Sequence, residues 1–442
     1  MQRKAYFIGI AGKTMAPLAK AFKDMQWEVS GSDKEKVYPP VTDFLLQNKI
    51  SYHKSYKKEN LSKDADLVIV GRSALLVDKD NPEYLEALSL KLNVLSYPEV
   101  LSKYLIKENS IVVTGTNGKS TTTALITWIL INAGLNPSYM FGGIPLNFSD
   151  GTKISDSKYS VIEGDETPSL KEIDPSKFMF YKPKYLLITS TEYDHPEVFK
   201  SNKEYLNAYV NLVKLLPDDG MLFYDSNTVN ESVIGACRCK KVAFQTTDTS
   251  FLAPNILFKE SSVRVKVLCL KLNIDEKIID SSILSFKGLK GRNEFLGEFE
   301  GRYLYHDLSQ QSSKVKNTLS LLRSKYRDNN LVVIFDPSAT SLKFKESLKQ
   351  YRDSFIDAGH IVVAKVNFIS DVSGEDRVTG PDLVEAFGGT GKVTYVPVNE
   401  KIIEWIVQNT KEEDIVVFMS SGGLEFTKLI EEVKKELGGQ GE

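Results

Sequence analysis

The chain has 442 residues, too many for one hydrophobic core, and so predicts two to four domains. Apolar residues make up 42% and charged residues 26%, which excludes a fibrous or disordered class. With 56 basic against 58 acidic residues the formal net charge is −2, which gives no bulk attraction to nucleic acid or to an anionic membrane.

The first block runs from residue 1 to about 105. KAYFIGI (4–10) reads as a buried strand. Its apolar run is too short for a membrane span and no small-residue cleavage site follows, so a cytoplasmic protein is expected. The helical run APLAKAFKDM comes next, then the strands WEVSGSD (27–33), ADLVIVG (65–71) and LNVLSY (92–97). Strands alternating with helices predict a parallel, doubly wound sheet. Gly9 and Gly12 sit where strand turns into helix, a place that suits a diphosphate, and Asp33 closes the second strand. A tight turn with no ligand explains the same glycines.

The second block, about 106–290, opens on IVVTGTNGKSTTT (111–123). The long phosphate-loop consensus needs glycine at position 113, where Val113 stands, so the pattern is the shorter G-x-x-G-K-S. Backbone N–H groups from Gly115 to Ser120 can wrap a β- or γ-phosphate, Lys119 supplies a point charge, and Ser120 offers an oxygen to Mg²⁺. A lysine beside a helix N-terminus is unfavourable unless an anion offsets it. Lys119 is expected to face the surface. YSVIEGDET (159–167) is a second strand, ending in Glu163, Asp165 and Glu166; YLLITSTEYDHPEVF (185–199) is a third, ending in Asp194 and His195. Open α/β sheets bind ligands at the carboxyl ends of their strands, so the three ends should converge. Alone, the acidic run also fits a solvated loop, and His195 a structural role as well as a metal ligand.

The third block, about 291–442, offers the strands YLYHDLS, LVVIFDPSAT, HIVVAKVNF, VTYVPV and DIVVFMSSGG, a further α/β sheet. GRNEFLGEFEG (291–301) lies near the junction, and the tail KKELGGQGE is polar. Cys237, Cys239 and Cys269 have neither a second Cys-x-Cys pair nor a nearby histidine, so reduced thiols are expected rather than zinc.

TGTNGKSTTT, then EGDE, then EYDHPEVF resembles the Mur ligases, ATP-dependent amino-acid and peptide ligases of murein synthesis. Within that family GSDKEKVYPPV, FGGIPLNF, YKPKYLLI, FKGLKGRNEFLGEF and MSSGG are most similar to the murein peptide ligases. The resemblance implies three domains: a Rossmann-like UDP-sugar-binding domain (1–105), a P-loop-type ATPase domain (106–290) and a Rossmann-like C-terminal domain (291–442). It implies ATP and Mg²⁺ as cofactors, and UDP-N-acetylmuramate and the peptide L-alanyl-γ-D-glutamyl-meso-diaminopimelate as substrates, joined through an acyl phosphate. L-alanine in place of the peptide, or a non-catalytic paralogue that only binds UDP-sugar or nucleotide, are the alternatives.

By the same resemblance Gly115, Thr116, Asn117, Gly118, Lys119, Ser120 and Thr121 hold ATP, with Arg292 and Asp307 also at the nucleotide. Lys119, Glu163 and His195 serve catalysis, Ser120, Glu163 and His195 hold metal, and Gly9, Gly12 and Asp33 belong to the UDP-sugar site. The chain departs from the family pattern in four places. The G-x-H-N-x-x-N segment that holds adenine is missing, and only NID (273–275) offers an asparagine near its place. Gln310 and Gln311 stand for two histidines, Pro168 for an aspartate and Ser338 for an arginine.

Overall fold

The structure, a computed structural model, describes residues 2–37, 41–170, 175–195, 198–250, 252, 258–338, 342, 345–366, 377–420 and 424–438. Of the stretches quoted above, residues 38–40, 196–197, 339–340, 367–368, 421–423 and 439–442 lie outside them. The chain divides into two compact units, residues 1–287 and 288–442.

The first unit holds two sheets. β1 (Lys4–Ile8), β2 (Glu28–Ser32), β3 (Leu67–Val70) and β4 (Val94–Ser96) pair in the order β2-β1-β3-β4, all parallel. The second sheet is built from β5 (Asn109–Thr114), β6 (Ser138–Met140), β7 (Thr152–Lys153), β8 (Tyr159–Glu163), β9 (Tyr185–Ile188), β10 (Met221–Asp225) and β11 (Lys240–Phe244). Its order is β11-β10-β9-β5-β8-β6-β7, parallel except for β7. β5 is central, and Ile111, Val112 and Val113 are wholly buried, as expected for a parallel strand covered on both faces. One core, running from Phe7 and Phe22 through Val112 to Tyr205 and Tyr209, joins the two sheets.

The second unit holds β12 (Glu294–Phe299), β13 (Arg302–Asp307), β14 (Leu331–Phe335), β15 (His360–Val363), β16 (Val393–Tyr395) and β17 (Ile415–Met419), in the order β12-β13-β17-β14-β15-β16. The five predicted strands are there. The sixth, β12, comes from the GRNEFLGEFEG stretch and pairs antiparallel with β13. The two-residue turn between them, Glu300 and Gly301, has positive φ at both positions, the conformation that matches the twist of a tight hairpin. No helix among the described residues is long and apolar enough to cross a membrane. All three cysteines are buried free thiols.

Candidate active site

β5 ends at Thr114, the chain turns through residues 115–118, and a helix runs Lys119–Asn132. The two glycines are required. Gly115 has φ 121°, and a Cβ there would be driven into Thr189 Oγ1 and the Ser190 backbone. Gly118, the N-cap, has φ 77°, a left-handed conformation that costs a side-chain-bearing residue strain. Thr116 N–H bonds to Ser190 O at 3.3 Å and its hydroxyl contacts Tyr205 OH at 3.1 Å, so the end of β9 holds the turn open.

Because β5 lies between β8 and β9, the three predicted strand ends do meet. Ser120 Oγ donates to Glu163 Oε1 at 2.9 Å, and Glu163 Oε2 accepts from Gly142 N–H at 2.8 Å. Lys119 does not face the surface as expected. Its side chain is 16% exposed and its ammonium pairs with Glu166 Oε1 at 3.2 Å. His195 Nε2 is 3.7 Å from the same Glu166 oxygen and 3.9 Å from Asp194 Oδ2. His195 has φ 57°, and Asp194 Oδ1 accepts its backbone N–H at 2.9 Å. Glu166, Asp194 and His195 each place a ligand atom within 4.8 Å of the others, the only such metal-capable group among the described residues.

The three acidic residues of EGDE part ways. Glu163 reaches Ser120. Asp165 turns to Lys177, at 2.7 Å, and to Thr167. Burial pushes its carboxyl up, but the lysine and the hydrogen bonds outweigh that and leave it below the usual range. Glu166 is fully buried, and burial pushes its carboxyl above the usual range against the pull of Lys119. Burial lowers the Lys119 pKa, yet Glu166 and Glu163 more than compensate, so its charge is held. Glu166 Oε2 has no hydrogen-bond partner among the described residues. A bare buried carboxylate oxygen beside a hydroxyl-carboxylate pair and an imidazole suits a hard cation that takes oxygen ligands. The glycine cradle with its ammonium suits phosphate.

Of the predicted hydroxyls, only Ser120 reaches the acidic cluster. Thr123 Oγ1 donates back to Lys119 O and Thr122 Oγ1 to Ser261 Oγ. In the first sheet, Gly9, Gly12 and Asp33 share one turn. Gly12 N–H reaches Gly9 O at 3.2 Å, and Asp33 Oδ2 accepts Ala11 N–H at 2.8 Å. Arg292 and Asp307 lie in the second unit. Arg292 is exposed, and Asp307 accepts backbone N–H groups from Asn293 at 2.6 Å and Ser309 at 2.7 Å. Gln310 Nε2, at one of the altered positions, donates to the Asp336 carbonyl and to Ser338 Oγ at 2.7 Å, the other altered position. Pro168 bridges to Ser176. NID proves to be a helix-to-helix connection. Asn273 is left-handed at the end of the Lys259–Lys271 helix, and Asp275 caps the next one through Lys277 N–H.

Two family profiles match in succession: "Mur ligase family, catalytic domain" over residues 4–108 and "Mur ligase middle domain" over residues 113–285. The chain belongs to the Mur ligase family. Family members are ATP-dependent ligases that form carbon–nitrogen bonds. A UDP-N-acetylmuramate–L-alanine ligase of Hydrogenobaculum is 26% identical, with 96% of each chain covered. A UDP-N-acetylmuramate–L-alanyl-γ-D-glutamyl-meso-2,6-diaminoheptandioate ligase of Escherichia coli is also 26% identical, covering 77% of this chain and 80% of its own. Among solved structures, a UDP-N-acetylmuramate–alanine ligase of Thermotoga maritima superposes with a TM-score of 0.74 at 20% identity, covering 98% of this chain and 99% of its own. The α/β architecture of parallel sheets is that of a Mur ligase.

Within this Mur ligase, Glu166, Asp194 and Gly142 join the cluster although only the first two lie in motifs with an evident chemistry. Past the end of β8 the period-two alternation of a strand no longer tells which carboxylate turns inward. Gly142 enters through its backbone, which leaves no side-chain signal.

Proposed function

We propose that this chain joins the carboxylate of UDP-N-acetylmuramate to the amine of L-alanyl-γ-D-glutamyl-meso-diaminopimelate at the expense of ATP, in the cytoplasm, as a step of murein recycling. The observation that carries the reading is the convergence of Lys119, the Ser120–Glu163 pair and the Glu166–Asp194–His195 group at the ends of three adjacent parallel strands. Residues 1–105 form the UDP-sugar domain, with Gly9, Gly12 and Asp33 at its turn. Residues 106–290 form the ATP domain and residues 291–442 the third. The backbone of 115–121 wraps the triphosphate, and Arg292 and Asp307 are further nucleotide residues.

The chemistry asks for charge neutralisation and positioning. Lys119 holds charge on the phosphate oxygens, and Glu166 keeps its ammonium aimed along the loop. Ser120 and Glu163 would hold one Mg²⁺, and His195 with Glu166 and Asp194 a second, where the metal would supply positive charge toward the phosphate oxygens. The sugar carboxylate takes that group, and the incoming amine displaces phosphate from the acyl phosphate.

A second reading takes L-alanine as the amine. It is favoured by the L-alanine ligase of Hydrogenobaculum, which aligns over 96% of the chain against 77% for the peptide ligase. ADP release with saturating UDP-N-acetylmuramate, compared between the tripeptide and L-alanine, separates the two. Release that depends on the tripeptide is expected. Release with L-alanine alone selects the second reading, and none with either amine overturns both.

A further inference from the structure

The helix Lys259–Lys271, KESSVRVKVLCLK, carries two cations among its valines, and both are buried. Lys266 is compensated twice, by Glu276 at 3.0 Å and Asp280 at 2.7 Å. Arg264 is not. Its Nη2 meets Glu260 at 2.9 Å, a carboxylate that is largely exposed. Its Nε has no partner among the described residues although the side chain is 6% exposed. An arginine keeps its charge at any ordinary pH, so this is a buried cation with one direct carboxylate partner, a longer-range attraction to the buried Asp225 and an unused N–H.

Its direction says where a further anion belongs. Arg264 Nη1 lies 2.9 Å from the point a Cβ on Gly118 would occupy. Gly118 is the N-cap of the 14-residue helix that begins at Lys119. A second cation is thus brought close to a helix N-terminus that already bears Lys119 and the positive end of the peptide dipoles, a place that favours a strong anion. The Thr122–Ser261 hydroxyl bond, 3.2 Å, ties the two helices within a turn of this contact and fixes the approach.

We propose that Arg264 is a second cationic ligand of the nucleotide's phosphates, delivered to the Lys119 loop from the neighbouring helix; this rests on the ATP-binding reading above. A guanidinium offers its N–H groups as a planar fork that fits phosphate oxygens, which the ammonium of Lys119 does not.

The test is equilibrium binding to the full chain in the presence of Mg²⁺, with ADP and with inorganic tripolyphosphate as probes. Arg264→Met should weaken both by the same factor, about tenfold or more for the loss of charge-assisted hydrogen bonds. Arg264→Lys, which keeps the charge and the stem, should fold as the wild type does and weaken both by a smaller equal factor. Loss confined to ADP overturns the proposal, since the contact would then be to base or ribose. Affinities for both probes within twofold of wild type in the lysine variant and, where it folds, in the methionine variant also overturn it. A wild-type chain that binds neither probe overturns the ATP-binding reading itself.

Discussion

Lys119 Nζ lies 3.2 Å from Glu166 Oε1, and Glu166 is fully buried. The lysine of the phosphate loop is therefore one half of a buried ion pair, and removing it does more than empty a phosphate site. Lys119→Ala should abolish ADP release and also destabilise the fold by about 3–5 kcal/mol, because a buried carboxylate is left without its cation. Lys119→Ala combined with Glu166→Gln should remain inactive and regain most of that stability. Chemical denaturation of the two variants reads the difference; equal midpoints would mean that the pair contributes nothing to folding.

Glu163 and His195 stand at two different places in the cluster, one on Ser120 and the other on Glu166 and Asp194. Each should matter to the metal. Glu163→Ala and His195→Ala should raise the Mg²⁺ concentration needed for half-maximal turnover or cut turnover by on the order of 10²-fold, the scale of one lost charge-stabilising contact. A Mg²⁺ titration of ADP release decides it, and metal-independent turnover in the wild type would remove the metal assignment.

The adenine segment has no counterpart at Asn273 or Asp275, which serve the connection between two helices. A site without base-reading groups discriminates little between bases. ATP and GTP should therefore be used with kcat/KM values within roughly a hundredfold, about 2.7 kcal/mol. ADP and GDP release measured side by side checks this; a larger preference for ATP would place base-reading groups elsewhere.

Burial pushes the Asp336 carboxyl above the ordinary aspartate value of 3.8, and the hydrogen bonds from Ser420 and Ser338 only partly pull it back. The folded chain then holds this proton more firmly than the unfolded one. Between 3.8 and the raised folded value the folded state binds more protons, so the contribution of this group to stability falls as pH rises through that window and stays low above it. Asp336→Asn should raise the urea midpoint above the window and flatten its pH dependence within it. A midpoint unchanged at neutral pH would show that the carboxyl is not penalised by burial.

The strands that carry the site were legible because each is an apolar run punctuated by glycine or by a cluster of acids. β5 is followed at once by Gly115 and Gly118, and β8 by Gly164. β10, MLFYD, follows a turn closed by Gly220 N–H on Pro217 O and has the same signal without any chemistry attached. β7, two residues long, and β11, KKVAF with its exposed lysines, have none. β12 was signalled only by the Glu300–Gly301 turn. Whether Asp165 or Glu166 turns toward Lys119 depends on Lys177, 12 positions further on, which captures Asp165. Arg264 did leave a trace, a charge inside SSVRVKV, but the same trace fits Lys266, whose partners are structural.

Gln310 and Ser338 illustrate how substitutions in this chain are coupled. One amide nitrogen serves both Ser338 Oγ and the Asp336 carbonyl, while Tyr351 OH donates to the Gln310 backbone carbonyl at 2.7 Å. An exchange at either position alone removes the bond between the two side chains. Chimeras with a relative that has histidine and arginine here should therefore exchange residues 310 and 338 together, and the single exchanges should score worse than the pair. Evolutionary steps between the two states pass through the same bottleneck, so intermediate sequences with only one of the two changes should be scarce.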